Sequence, residues 1–357
     1  MQTEVKLSKQ YKGSISYLIV RLQIKNGYME KTQNTIEKTI EMFLENISLT
    51  RSENTEKTYH NAMNAFKQML IEKNISPDNP VTDLSEKLFS DYAKYLKAYS
   101  SSTESLYINV AKNYFEFLAA EEIINFNLFQ TKLLIKNRTR KPGIRLPQFP
   151  KHDIDAVIDY AISTIPNLPV MNENEKLINL RDSAFLVTLA DTGLRIHEAC
   201  NLRRGTIDWF SHKAVIIGKG NKEAVIRFSD RSITALKEYL NARANYDGAT
   251  GSPLAVLPIF ARHDKGAGTK VIPMTTKTGR MIVSSRVEEC LGKEAVGTIT
   301  PHSFRHYFVT NVLNKTGNMK IAQEFARHSS ITVTQRYTHL SNEDLDKKYD
   351  KIFNNED

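Results

Sequence analysis

Apolar residues at helical spacing recur four times in succession early in this chain, and that repetition restricts the fold more than any other feature. Ile36, Ile40, Phe43 and Ile47 make the first stripe; Tyr59, Met63, Phe66 and Leu70 make the second, with Thr55 as the expected N-cap. Leu88, Tyr92, Tyr95 and Tyr99 follow, then Tyr107, Val110, Tyr114 and Phe117, with residues 101–103 as the connecting turn and cap. Intervals of three and four place each set on one helix face, and such a face must be buried against another. A small helical bundle over residues 33–131 is therefore expected, its aromatic stripes serving as core rather than as base-stacking platforms.

The bundle pattern stops at a segment of a different kind. Residues 131–151 hold Lys132, Lys136, Arg138, Arg140, Lys141, Arg145 and Lys151 without one acid, and Pro142, Gly143, Pro147 and Pro150 interrupt any helix. Residues 132–150 accordingly read as an interdomain linker, either one that follows a phosphate backbone or a solvated hinge. A chain of 357 residues favours two domains. The second would run over 151–357, and residues 1–32 form a basic preface: a DNA-contacting arm, or an extension ahead of a start at Met29.

Charge bears on the partner. The net charge is +9 and the pI about 9.2, which points to an anionic partner, nucleic acid being the commonest. On the bundle, Lys57, His60, Asn64, Lys67, Lys112 and Asn113 are the polar-face candidates for DNA contact; Arg138, Arg140, Lys141 and Arg145 are those of the linker. No segment is apolar enough to span a bilayer, and the short patch at residues 16–20 has no cleavage site behind it, so no membrane partner is expected. Cys200 and Cys290 lie in apolar helical patterns, which suits a reducing cytoplasm without disulfides.

In the second half, helical runs at 154–162 and 180–191 lead into Thr192-Gly-Leu-Arg195-Ile-His-Glu198. Arg195 and Glu198 are three apart, so on a helix the carboxylate would steady the guanidinium and leave its other donors for a phosphate oxygen. His197 beside Glu198 is half a zinc-protease motif, but Asn201 stands where the second His is needed, and no metal is expected. Residues 214–228 read as a β-hairpin turning at Gly218-Lys219-Gly220-Asn221, and no ATP-binding loop of the form G-x-x-x-x-G-K-[ST] occurs. A loop with Arg262, His263 and Lys265 follows, then residues 276–291, a helix in the domain type that the resemblance given below implies. Next comes Pro301-His302-Ser-Phe-Arg305, which puts an imidazole and a guanidinium on one face at a helix start, an arrangement suited to phosphate. His328 closes a further helical run and Tyr337 follows nine residues later.

These boxes, T-G-L-R-x-x-E, H-x-x-R, His-Ser-Ser and Thr-x-x-x-Tyr-Thr-His, resemble in order and spacing those of the tyrosine recombinases, or phage integrases. Residues 54–59 are similar, more weakly, to the opening of that family's core-DNA-binding domain. The resemblance implies a mainly α fold with a small β-sheet (α+β): a helical N-terminal DNA-binding domain and a catalytic domain. It implies a site-specific recombinase without metal or nucleotide cofactor, acting on double-stranded DNA with inverted-repeat core sites. Tyr337 would be the nucleophile joined to the 3′ phosphate; Arg195, Arg305 and His328 would stabilise the phosphorane; Lys219, with Lys222 as fallback, would protonate the leaving 5′ oxygen. His302 would assist proton transfer and Glu198 would support Arg195. A type IB topoisomerase and a non-catalytic DNA-binding regulator remain alternatives.

Two further features stand out. Where the family has Leu-Gly-His before the nucleophile, this chain has Ala326-Arg327-His328, and arginine is costly where a backbone turns left-handed. Past Ser341 there are six acids and three lysines, with Leu345, Tyr349, Ile352 and Phe353 on one helical face. That stripe is buried either on its own domain or, as the resemblance suggests, in a neighbouring subunit of a homotetramer.

Overall fold

The computed structural model describes residues 34–140, 151–218 and 223–327. They fall into two compact units, one within Met1–Arg145 and the other within Leu146–Asp357.

The first unit is helical. Its elements are α1 (Ile36–Thr50), α2 (Glu53–Glu72), α3 (Leu88–Tyr95), α4 (Ser101–Ala120) and α5 (Leu128–Arg138). Thr35, Ser100 and Asn127 cap α1, α4 and α5 by accepting the backbone N–H of Lys38, Thr103 and Gln130. The N-cap of α2 is Ser52 rather than Thr55, because the chain leaves α1 in extended backbone and Ser52 is the last residue to keep it. Likewise residues 101–103 form the first turn of α4 rather than a connecting loop.

The stripes meet as an aromatic core in which Phe66, Tyr92, Tyr114 and Phe115 are fully buried. Phe66 sits edge-on to Tyr92 with ring centroids 5.1 Å apart. Burial of a ring of this size is worth roughly 2–3 kcal/mol, provided its polar atoms are satisfied. They are: the Tyr92 hydroxyl donates to Ala62 O at 2.8 Å, and the Tyr114 and Thr39 hydroxyls bond at 2.6 Å.

The basic segment is not a linker from its start. Residues 128–138 contain no Gly or Pro and continue as α5, which packs on α3 and α4. Beyond it, Arg140 turns back into the first unit. Its Nε is paired with the fully buried Glu104 carboxylate, its Nη2 donates to Tyr99 O at 2.7 Å, and its backbone N–H reaches Glu104 Oε1 at 2.9 Å.

In the second unit α6 (Lys151–Asp159) passes through a π-helical turn at Tyr160–Thr164. Then come α7 (Glu173–Thr192), α8 (Ile196–Cys200), β1 (Ile207–Asp208), β2 (Lys213–Ile217), β3 (Glu223–Arg227) and α9 (Asp230–Ala242). The chain continues with α10 (Ala244–Gly248), α11 (Thr276–Leu291), α12 (Pro301–Thr316) and α13 (Met319–Ala326). The sheet is antiparallel in the order β1-β2-β3, with Val215 opposite Val225; β1 extends the expected hairpin by a short third strand. Helix α7 is buried from Arg181 to Ala190 and forms the axis of this unit, contacted by α9 and α12.

Charge is buried here as well as apolar surface. Asp182 lies between Arg181 and Arg286 at 2.7 and 2.8 Å, while Asp247 pairs with Arg243 at 2.8 Å and with Arg204 at 2.5 Å. His263, expected in a cationic loop, is instead buried with its Nε2 2.8 Å from the Tyr239 hydroxyl. Burial and the nearby Arg181 and Arg243 push its pKa down to about 3, so it carries no charge toward DNA. Arg262 in the same loop is held by Asp264 at 2.8 Å.

Candidate functional site

The site forms where α7 ends. Gly193 follows the helix with φ +58°, and a Cβ there would overlap the Phe308 ring, so both the turn and the approach of α12 require glycine. The turn faces the carbonyl of Gly193 toward two arginines far along the chain, Arg305 and Arg327.

Arg195 is the N-cap of α8, in extended backbone at ψ 149°, rather than a residue of the helix as the spacing suggested. Only Ile196–Cys200 is helical, and the buried Leu202 lies beyond it. The expected partnership with Glu198 is nevertheless formed. Glu198 Oε1 accepts from Arg195 Nη1 at 2.9 Å, and Oε2 accepts from the Arg195 backbone N–H at 2.9 Å. Burial opposes ionisation of Glu198, but Arg327 and Arg195 outweigh it and hold the carboxyl below its ordinary 4.5. The Arg195 side chain is about one-third exposed, at 36%, while that of Glu198 is 2% exposed.

Thr300 caps α12 and Pro301 opens it, as the Pro-His-x-x-Arg phrase predicts. His302 is exposed on the first turn, beside a cleft of about 390 Å³ that Ile196, Arg280, Ser284 and Thr300 help to line. Partial desolvation, then Arg305 and Arg195, keep its pKa below the usual histidine value, so the ring is neutral at pH 7 and able to accept a proton. One turn on, His306 stacks edge-to-face on it at 5.2 Å. Burial, His302 and Arg305 lower the pKa of His306 to about 4.

Arg305 departs from expectation. It is 2% exposed, and its Nη1 and Nη2 donate to the carbonyls of Gly193 and Ala326. The guanidinium therefore ties the end of α7 to the end of α13 and lies beneath the surface, because its carbonyl partners are themselves buried turns. Its charge nevertheless lies under the same site, where low dielectric makes it felt.

Arg327 was singled out in the sequence only as a departure from a glycine, and it joins this group. Its Nη2 donates to Glu198 Oε2 at 3.0 Å and to Gly193 O at 3.3 Å. Three guanidiniums thus converge on residues 193–198: Arg195 and Arg327 share the Glu198 carboxylate, and Arg305 and Arg327 share the Gly193 carbonyl. Nothing in the local pattern around residue 327 announces that contact, since it spans 129 residues.

Lys219, Lys222, His328 and Tyr337 lie outside the described residues, as do Lys141, Arg145 and the segment from 343 to 357. Tyr307, two residues after Arg305, is half-buried, and burial raises its pKa, so it is poorly prepared as a nucleophile. Among the described residues no group of three His, Cys, Asp or Glu gathers as a metal site would need.

On the first unit, Lys57 pairs with Glu53 at 2.6 Å, Lys67 with Glu37 at 2.9 Å and Lys112 with Glu116 at 3.3 Å. His60 lies 3.9 Å from Glu56, and Asn113 donates to the Tyr59 hydroxyl at 2.8 Å. Arg138 is exposed in the last turn of α5. Arg140 is the exception among the candidates for DNA contact: its bonds to Glu104, Leu96 and Tyr99 make it a structural tie.

Known proteins resemble this chain in sequence and in fold. The chain is 29% identical over 306 residues to the tyrosine recombinase XerC of Listeria monocytogenes serotype 4b (strain F2365), covering 84% of this chain and 91% of that protein. It is 26% identical over 317 residues to XerC of Bacillus subtilis (strain 168), covering 88% and 95%. Its fold resembles that of the Tn1549 transposon integrase in complex with transposon right end DNA, with a TM-score of 0.62 at 18% identity over 90% of this chain and 99% of that one. A similar likeness, 0.62 at 16% identity over 93% of each chain, holds for the XerH site-specific recombinase bound to palindromic difH substrate. The pattern of the Phage integrase family matches residues 166–344, half of the chain, and the chain belongs to that family.

Proposed function

We propose that this chain is a site-specific DNA recombinase that cuts and rejoins strands through a covalent bond between Tyr337 and a 3′ phosphate. The observation that carries the reading is the bond from Arg305 to Gly193, which unites boxes 112 residues apart and sets the buried Arg305 guanidinium beneath the partly exposed Arg195 and the exposed His302. Attack by the phenol oxygen on phosphorus places extra negative charge on the phosphate oxygens, and fixed cations stabilise it. The P–O5′ bond breaks as the P–O bond to Tyr337 forms. His302 takes the phenol proton, and Lys219 gives a proton to the departing 5′ oxygen. Arg195 and His328 bind the phosphate oxygens, and Arg305 supports them from below. The bond energy is retained in the phosphotyrosine, so rejoining is the same step reversed by another 5′ hydroxyl.

The partner is double-stranded DNA with inverted-repeat core sites, and the similar DNA-bound structures support that choice. Lys57, Lys67 and Lys112, the exposed Arg138, and Lys141 and Arg145 supply phosphate contacts around those sites. The domain plan is a preface at 1–32, a DNA-binding bundle from 33, a basic connection ending at 150 and a catalytic domain from 151. We assign the acidic stripe of Leu345, Tyr349, Ile352 and Phe353 to a neighbouring subunit of a homotetramer, since a head-to-tail exchange closes into a ring. The work is placed in the cytoplasm, where Cys200 and Cys290 stay reduced.

The test uses a duplex half-site selected from a random pool by the wild-type protein, rebuilt with a nick so that the cut fragment escapes. A covalent adduct at that site only, lost in Tyr337→Phe with binding retained within about threefold, is the recombinase outcome. Adducts on every duplex would mean a topoisomerase, and none a DNA-binding regulator. Truncation after Asn342 should spare half-site binding and abolish the paired-site complex; assembly by the truncated chain would return the tail to its own subunit.

A further inference from the structure

Arg327 ends α13 in left-handed backbone, φ 57° and ψ 42°, a conformation that disfavours a side chain and suits glycine. Its guanidinium then points inward, with the side chain 11% exposed. Nε and Nη1 are buried and have no hydrogen-bond partner among the described residues, and burial lowers the pKa of the group. Each of these features costs stability, and a rotation out to water would relieve the last two. What holds the side chain in is the pair of bonds from Nη2 to Glu198 Oε2 and Gly193 O.

Glu198 is thereby shared. Oε1 serves the Arg195 guanidinium, while Oε2 serves the Arg195 backbone N–H and Arg327. The last torsion of a glutamate side chain is soft, so a carboxylate held on Oε2 by one backbone N–H alone would rotate and carry Arg195 Nη1 with it. The same contact connects the chain that leads directly into His328 with the turn that presents Arg195.

Resting on the recombinase reading, we propose that Arg327 is a positioning residue for strand cleavage: by holding the Glu198 carboxylate it fixes the direction of the Arg195 guanidinium. The left-handed backbone is retained with an arginine because the inward guanidinium is required there.

Full-length Arg327→Gly and Arg327→Lys separate this role from a structural one. Glycine fits the left-handed position, so Arg327→Gly should melt at or above the wild-type temperature. Half-site binding should stay within about threefold, while the single-turnover rate of adduct formation on the nicked duplex falls at least roughly tenfold, as for a misplaced catalytic group. Arg327→Lys, which keeps one cation for Glu198, should recover part of that rate. A wild-type rate in Arg327→Gly overturns the proposal, and so does a rate loss accompanied by a lowered melting temperature. If the wild-type protein itself forms no adduct, the recombinase reading fails first, and the positioning role falls with it.

Discussion

Glu198 holds Arg195 at two points, taking the guanidinium on Oε1 and the backbone N–H on Oε2, each at 2.9 Å. The arrangement fixes the direction of the side chain as well as its position, because the carboxylate sits in the first turn of the helix that Arg195 caps and is buried. Glu198→Ala would leave Arg195 and Arg327 without their shared anion and should destabilise the second unit by about 3 kcal/mol, read by urea unfolding. Glu198→Gln keeps the shape and should cost less. The pH sign follows from the lowered pKa: the ionised carboxylate stabilises the fold fully above about 4.5, and that share is lost as pH falls through its lower folded value. Glu198→Gln should lack this acid loss, and an unchanged acid limb would show that the pair contributes nothing.

Gly193→Ala meets two obstacles, the positive φ and the Phe308 ring, and should lower stability by about 2 kcal/mol. Gly317 also has positive φ, +62°, but open space where a Cβ would lie. Gly317→Ala should therefore lose only the backbone part, about 1 kcal/mol. Equal losses in the two variants would remove the role of the Phe308 contact.

Arg138 and Arg140 are two residues apart and should behave differently. Arg138→Ala should flatten the dependence of log binding constant on log salt by about 0.9, the slope of one phosphate contact. Arg140→Ala should leave that slope alone and instead destabilise the first unit by about 3 kcal/mol, since Glu104 is left buried without its cation. A salt slope that responds to Arg140→Ala would restore it to the DNA interface.

His263 and His306 predict a second pH effect. Their pKa values are lowered to about 3 and about 4, so the unfolded chain binds protons from about pH 6.5 downward while the folded chain does not. Stability should be full above pH 6.5 and decline as pH falls toward 4, by up to about 1.4 kcal/mol per pH unit for each ring. His263→Asn should make the decline shallower; a melting temperature flat from pH 7 to 5 would contradict both assignments.

The sequence by itself determined much of this protein. The helical stripes were legible because burying an apolar face is a local periodic requirement, and Phe66, Tyr92 and Tyr114 are indeed core. The hairpin and the Pro-opened helix carrying His302 and Arg305 were legible from local pattern and turn residues, the helix at Thr276–Leu291 from the family resemblance, and the ordered boxes gave the family. Helix starts were read less well: Ser52 rather than Thr55 caps α2, since both are competent caps and only the path of the preceding chain chooses between them. Tertiary structure alone decided which charges face solvent. Arg140, His263 and Arg305 look in sequence like cations awaiting a phosphate, yet each is committed to partners 21 to 112 residues away. The bond between Arg327 and Glu198 belongs to the same class. Hydrophobic periodicity is written along the chain, whereas the partner of a buried charge is set by whichever turn the fold brings opposite it.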